Sequence, residues 1–180
     1  MSKPQPIGVF DSGIGGLTVV KALRDRLPNE TIVYLGDTAR VPYGPKSPET
    51  VQRYALELAH MLMQKNAKAL VVACNTVSSV ALPLLTRKFP VPVIGVIEPG
   101  ARAALQTTRN QHVGVIGTRA TIGSGAYEKA LRATNNKVRV SSRACSYYAD
   151  MLVTRCLQRC SSSRLDHSNY RNGKFSSQQR

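Results

Sequence analysis

Short apolar runs alternate along this chain with polar, glycine-containing loops and stretches of helical period, and this alternation restricts the fold more than any other feature. Ile7–Phe10 is the first run, followed by Asp11-Ser12-Gly13-Ile14-Gly15-Gly16. Leu17, Val20, Leu23 and Leu27 then recur at helical spacing until Pro28-Asn29 stops them. Thr31–Leu35 is a second predicted strand, and residues 36–47 form a loop rich in Gly and Pro. Ser47-Pro48-Glu49 reads as a capped helix start, and the helix is predicted to run to about Asn66. Ala69–Ala73 is a third strand, with Cys74-Asn75-Thr76 at its end and a single helix expected to about Phe89. Val93–Val96 and Val113–Ile116 are further strands, followed by helices over Ala101–Thr108 and about Thr121–Arg132. Val138–Val140 opens a sixth strand.

Most of these runs are continuously apolar rather than alternating, and helices separate them. Strands of that kind are buried on both faces of a mostly parallel sheet, which gives a three-layer α/β fold. The loops after the strands carry Asp11, Gly36-Asp37, Cys74-Asn75, Glu98 and Gly117-Thr118. In an open α/β sheet these carboxyl-end loops share one edge, where ligands bind. The site is therefore expected to assemble from motifs far apart in the chain.

Composition narrows the function classes. The formal charge is +15, but residues 1–137 carry 17 Lys/Arg against 8 Asp/Glu, and residues 138–180 carry 8 against 2. The basic density lies in the tail, and elsewhere the cations are scattered, so no specific nucleic-acid partner is expected. No apolar run reaches membrane-spanning length, and Met1–Pro6 has no apolar leader. Four cysteines are too few for a disulfide scaffold, so a reduced, cytoplasmic protein without a membrane partner is expected.

Asp11 and Ser12 precede a glycine-rich turn in which backbone N–H groups can approach an anion. The run departs from G-x-G-x-x-G and lacks a Walker ending, and its plainer reading is a tight turn with a capping aspartate. Cys74 at a strand-to-helix junction is expected to have a depressed pKa and to be the most reactive thiol; its plainer reading is a small buried hydrophobe. Asn75 and Thr76 offer hydrogen-bond donors. Asp37 and Arg40 form a candidate loop pair, Tyr43 and Gly44 candidate pocket residues, and Thr118, Thr121 and Ser124 a donor-rich turn or ordinary helix caps. His60 reads as surface-exposed and His112 as remote, so Cys74 has no evident histidine partner. Cys156 and Cys160 lack metal-ligand spacing, and no metal is expected.

Taken together, Asp11-Ser12-Gly13-Ile14-Gly15-Gly16-Leu17-Thr18-Val19, Gly36-Asp37 with Arg40, Pro42-Tyr43-Gly44, Ala73-Cys74-Asn75-Thr76, and Gly117-Thr118 through Thr121 and Tyr127 resemble the cofactor-independent amino-acid racemases, above all glutamate racemases. The likeness runs from Ile7 to about Cys145. It implies two pseudo-symmetric α/β domains, the second incomplete here: residues 1–97, residues 98–144, and a basic Ser/Cys-rich tail over 145–180. It implies two-base proton transfer between cysteines on opposite faces of glutamate, without pyridoxal phosphate or any other cofactor. Such an activity supplies D-glutamate for peptidoglycan, and hence cell-wall biogenesis and cell shape. On the match Cys74 is one catalytic cysteine and Asp11 its helper. Ser12, Tyr43, Gly44, Asn75, Thr76, Thr118 and Thr121 hold the substrate. The intact family also suggests a homodimer.

One departure matters. The family's second cysteine lies in a Gly-Cys-Thr-His-Tyr-Pro stretch, and these 180 residues contain none. From residue 141 the chain holds nine serines and three of its four cysteines, with no glutamate and no proline. That change points to a disordered tail, or to a shifted reading frame near Cys145. The chain is therefore expected to be inactive alone. The competing readings are a silent amino-acid or dicarboxylate binder, a cysteine hydrolase or transferase, and a product without function.

Overall fold

The computed structural model describes residues 4–145. Its elements are β1 (Ile7–Asp11), α1 (Leu17–Arg26), β2 (Ile32–Gly36), α2 (Pro48–Met63), β3 (Ala69–Val72), α3 (Asn75–Val80), α4 (Leu82–Lys88), β4 (Val93–Gly95), α5 (Ile97–Thr107), β5 (His112–Gly117), α6 (Arg119–Gly123), α7 (Ala126–Thr134) and β6 (Arg139–Ala144). Four strands form one sheet in the order β2-β1-β3-β4, and β5 pairs with β6 in a second. All the pairings are parallel.

The expected three layers are visible in the side chains of the first sheet. Ile7, Val9, Val71 and Ala73 face one side, where Val19, Val20 and Leu23 of α1 cover them. Phe10, Leu70 and Val72 face the other, under Val51, Ala55, Leu58 and Leu62 of α2 and Val77 and Leu85 of α3 and α4. Adjacent strand residues point to opposite faces, so a strand covered by helices on both sides must be apolar at every position. Each large side chain buried here contributes about 1.5–3 kcal/mol. The second sheet has its own core, in which Ala101, Val115, Leu131 and Val138 come together.

Helix α2 starts as its sequence requires. Ser47 Oγ accepts from Thr50 N at 3.3 Å, and Pro48 occupies the first turn, where its missing N–H costs nothing. Three helix expectations need correction. The single helix expected from Asn75 to Phe89 is broken at Ala81, because Pro83 cannot follow a continuous helix without clashing with the carbonyl four residues earlier. The helix expected from Thr121 to Arg132 is split into α6 and α7 by Gly125 at φ +64°, a left-handed conformation that glycine adopts without strain. Helix α5 starts at Ile97 rather than Ala101. Pro99 is tolerated in its first turn, and Glu98 thus belongs to the helix rather than to a strand-end loop. Strand β6 is longer than expected and mostly exposed, as its sequence RVSSRA implies. Beyond Cys145, the expected tail with Cys156, Cys160 and His167 lies outside the described residues.

Gly36 marks the tightest backbone approach. A Cβ placed there would lie 2.2 Å from the Gly13 carbonyl oxygen, so the glycine-rich turn rests directly on the end of β2. Gly36→Ala is expected to lower the unfolding free energy by about 2 kcal/mol or more. Gly123 has nothing within 4 Å of such a Cβ, and Gly123→Ala is expected to be neutral or stabilising by up to about 1 kcal/mol. Urea melts of both variants check this pair; equal midpoints would refute it.

Candidate active site

Strands β1 and β3 are neighbours, with Phe10 opposite Val72, so the residues that follow them emerge together. Asp11 is buried at the end of β1, and its Oδ2 accepts from Gly16 N at 2.8 Å. That bond folds residues 12–15 back over the strand end. Tyr34 Oη donates to the Gly13 carbonyl at 2.7 Å and pins the same turn from β2. Across the gap the Cys74 thiol donates to Ser12 Oγ at 3.4 Å.

Cys74 is only 5% exposed, and its pKa is raised, first by burial and then by the Asp11 charge. Hydrogen bonds from Ser12 and from the Val77 backbone oppose the shift and do not overcome it. The expected depression is therefore corrected. The helix behind the thiol has six residues, and the cost of an unsolvated thiolate beside a carboxylate exceeds what one short helix end returns. The resting group is a thiol. Burial followed by the same two charges also pushes the Tyr34 hydroxyl up, so it remains a donor.

The second group of residues lies where the two sheets meet. Thr118 caps α6, and its Oγ1 accepts from Thr121 N at 3.2 Å. Thr76 Oγ1 shares hydrogen bonds with Thr118 Oγ1 at 3.1 Å and Thr121 Oγ1 at 3.4 Å. Thr118 and Thr121 share a third at 2.9 Å. The hydroxyl of Thr76 thus forms one ring with those of Thr118 and Thr121, more than forty residues further along the sequence. Gly44 packs on it, for a Cβ there would lie 2.6 Å from Thr118 Cβ. Asn75 opens α3, and its Oδ1 accepts from Tyr127 Oη at 2.7 Å.

Tyr43 behaves differently from its neighbour. It is 1% exposed and belongs to the core of the first sheet. Its hydroxyl donates to Asp37, and burial followed by that bond raises its pKa. Arg40 holds the same carboxylate at 2.6 Å and also reaches Glu57, so the candidate Asp37–Arg40 pair is a loop-fixing network. A pocket of about 520 Å³ is lined by Asn75, Thr118, Thr121 and Tyr127, with Cys145 beside Gly117 at the same end of β5, and runs back along that strand to Val113. Asp11, Ser12 and Cys74 lie outside its lining; the groups that can transfer a proton and this pocket adjoin rather than coincide.

His60 is exposed on α2, edge-on to Phe89. His112 starts β5 and bonds Ser141, at the opposite end of that strand from Thr118. Among the described residues no three His, Cys, Asp or Glu side chains gather as a metal site. Tyr34 and the Tyr127–Asn75 contact were not singled out as site features from the sequence. The first had a local signal, an aromatic residue in a strand next to β1; the second joins residues 52 positions apart and had none.

Comparison with known proteins accords with this arrangement. The family model for Asp/Glu/hydantoin racemases matches residues 17–158. A glutamate racemase of Geobacter metallireducens is 56% identical over 145 residues, covering 81% of this chain and 54% of that protein. One of Aquifex aeolicus is 53% identical over 146 residues, covering 81% and 57%. A glutamate racemase isoform of Bacillus anthracis superposes with a TM-score of 0.82 at 46% identity, over 89% of this chain and 60% of that one. The enzyme of Francisella tularensis, solved with D-glutamate, gives 0.75 at 44% identity, over 82% and 56%. The chain thus spans little more than half the length of the curated relatives it matches. It belongs to the Asp/Glu/hydantoin racemase family.

Two outcomes follow for the thiol. Cys74 is expected to react with iodoacetamide at pH 7 more slowly than the partly exposed Cys145, reversing the order its strand-end position suggests. Asp11→Asn removes the negative neighbour and is expected to move the Cys74 rate–pH midpoint downward. Peptide mass mapping across a pH series reads both. An unchanged or higher midpoint would show that the Asp11 charge does not act on the thiol.

Proposed function

We propose that this site binds glutamate and moves its α-proton on one face, as one half of a cofactor-independent interconversion of L- and D-glutamate. The observation that carries the reading is the buried Cys74 thiol, hydrogen-bonded to Ser12 and under the Asp11 charge. Beside it the hydroxyls of Thr76, Thr118 and Thr121 and the amide of Asn75 are drawn from both sheets.

A racemase needs an acid and a base on opposite faces of the α-carbon. Cys74 rests as a thiol and so stands ready as the acid: its S–H bond breaks, the proton joins the α-carbon, and the carbanion's electron pair becomes the new C–H bond. In the reverse direction the thiol first loses its proton, for which Asp11 is the neighbouring acceptor. The thiolate then takes the α-proton and leaves the electron pair delocalised into the α-carboxylate. Hydrogen-bond donors around that carboxylate stabilise the charge as it develops, and one such donor is worth about 100-fold in rate. Ser12, Asn75 and the threonines fill this role in the proposal. Gly44 supports Thr118, and Tyr43 acts from the core by holding the loop that carries Gly44.

Kinship supports the wider reading: two domains at 1–97 and 98–144, a cytoplasmic homodimer, and D-glutamate destined for peptidoglycan. No helix among the described residues is long and apolar enough to cross a membrane. The deep burial of Cys74 favours one alternative, a site that holds glutamate or another dicarboxylate without turning it over.

Incubation of chain 1–180 with L-glutamate in deuterium oxide separates these readings. The α-proton is expected to exchange with retained configuration, because Gly-Cys-Thr-His-Tyr-Pro is absent from the sequence. Cys74→Ser is expected to reduce the exchange by about 100-fold or more. Exchange that survives this substitution would remove Cys74 from the mechanism. Saturable binding with no exchange at all would favour the silent binder.

A further inference from the structure

We propose that Tyr127 is a positioning residue that decides which end of the Asn75 carboxamide faces the ligand. The inference rests on the reading of Asn75 as a donor to a carboxylate. Asn75 directly follows Cys74 at the start of α3, and its Oδ1 accepts from Tyr127 Oη at 2.7 Å. With the oxygen so engaged, Nδ2 and its two N–H donors are left for an anion in the pocket that both residues line.

The reason a carboxamide needs such a partner is its shape. Its oxygen and nitrogen ends are nearly the same size, so a half-turn about the terminal bond exchanges acceptor for donor at little steric cost. Opposite a carboxylate the turned form sets oxygen against oxygen. A tyrosine hydroxyl can also accept from the turned Nδ2, but its own proton then loses the Oδ1 acceptor, so the bond from Oη to Oδ1 disfavours the turned form before the ligand arrives, which lessens the ordering cost of binding.

Tyr127 is anchored to do this. Its ring packs on the core formed by Ala101, Val115, Leu131 and Val138, while its hydroxyl reaches the first helix after β3. Gly100 of α5 leaves room for the approach, for a Cβ there would lie 3.3 Å from the hydroxyl. Burial raises the tyrosine pKa, so the hydroxyl keeps its proton. The amide beside the catalytic thiol is therefore oriented from the core of the other sheet.

Tyr127→Phe keeps the ring and removes only the hydroxyl. In chain 1–180 labelled with nitrogen-15 and without ligand, relaxation of the Asn75 side-chain NH2 is expected to show a lower order parameter in this variant, at an unchanged melting midpoint. An unaltered order parameter would overturn the proposal. In L-glutamate titrations the variant is expected to bind about fivefold more weakly, and the same change made on top of Asn75→Ala is expected to have no effect. Equal weakening in both backgrounds would also overturn it, since Tyr127 would then act through packing. If no form of the chain binds glutamate, the glutamate reading fails, and the relaxation measurement still decides whether Tyr127 positions Asn75.

Discussion

The chemistry of this chain depends on one alignment, that of β1 with β3. Their parallel register from Ile7–Ala69 to Phe10–Val72 makes both strands end at the same level. Had β3 been displaced by one residue, its pleat would have turned Val72 toward α1 and moved Cys74 off the shared edge. Because helices cover both faces, such a slip would exchange the contents of two packed cores. The hydrophobic effect thereby fixes the distance between a carboxylate-bearing turn and a thiol, although neither group is hydrophobic.

Electrostatics then sets the resting state. Asp11 and Cys74 share a site from which water is mostly excluded, and two negative charges there oppose each other. Burial first and the Asp11 charge second raise the Cys74 pKa, so the thiol retains its proton. The same arrangement acts on Tyr34, whose raised pKa keeps it donating to the turn that carries Ser12. The charge that helps keep Cys74 protonated also keeps Tyr34 donating to the loop opposite it.

Much of this was legible in the sequence, and the limits are physical ones. Apolar runs report that a strand is covered on both faces, and that placed Asp11 and Cys74 at one edge of a parallel sheet; Thr118 instead follows a strand of the second sheet. Periodicity does not report where a helix breaks: Pro83 and Gly125 sit inside apolar patterns that continue across them. Nor does it report which way a loop residue turns. Tyr43 follows Pro42 in a polar segment, yet its ring lies in the core because Asp37 can receive its hydroxyl there. The thiol's protonation depended on burial, which position in a motif does not carry. The Tyr127–Asn75 bond depends on how two sheets meet, which no local window contains.

The threonine ring at that junction has a further property. Three hydroxyls carry three protons, and closing a ring of three bonds uses all of them. A carboxylate oxygen can draw a proton from the ring only by opening one of its sides. Two of those sides join Thr76 to the other sheet, and the third lies within α6 and its cap. On the proposed reading, a carboxylate that opens either of the Thr76 sides takes its proton at the expense of the joint between the sheets, whereas one that opens the third side leaves that joint intact.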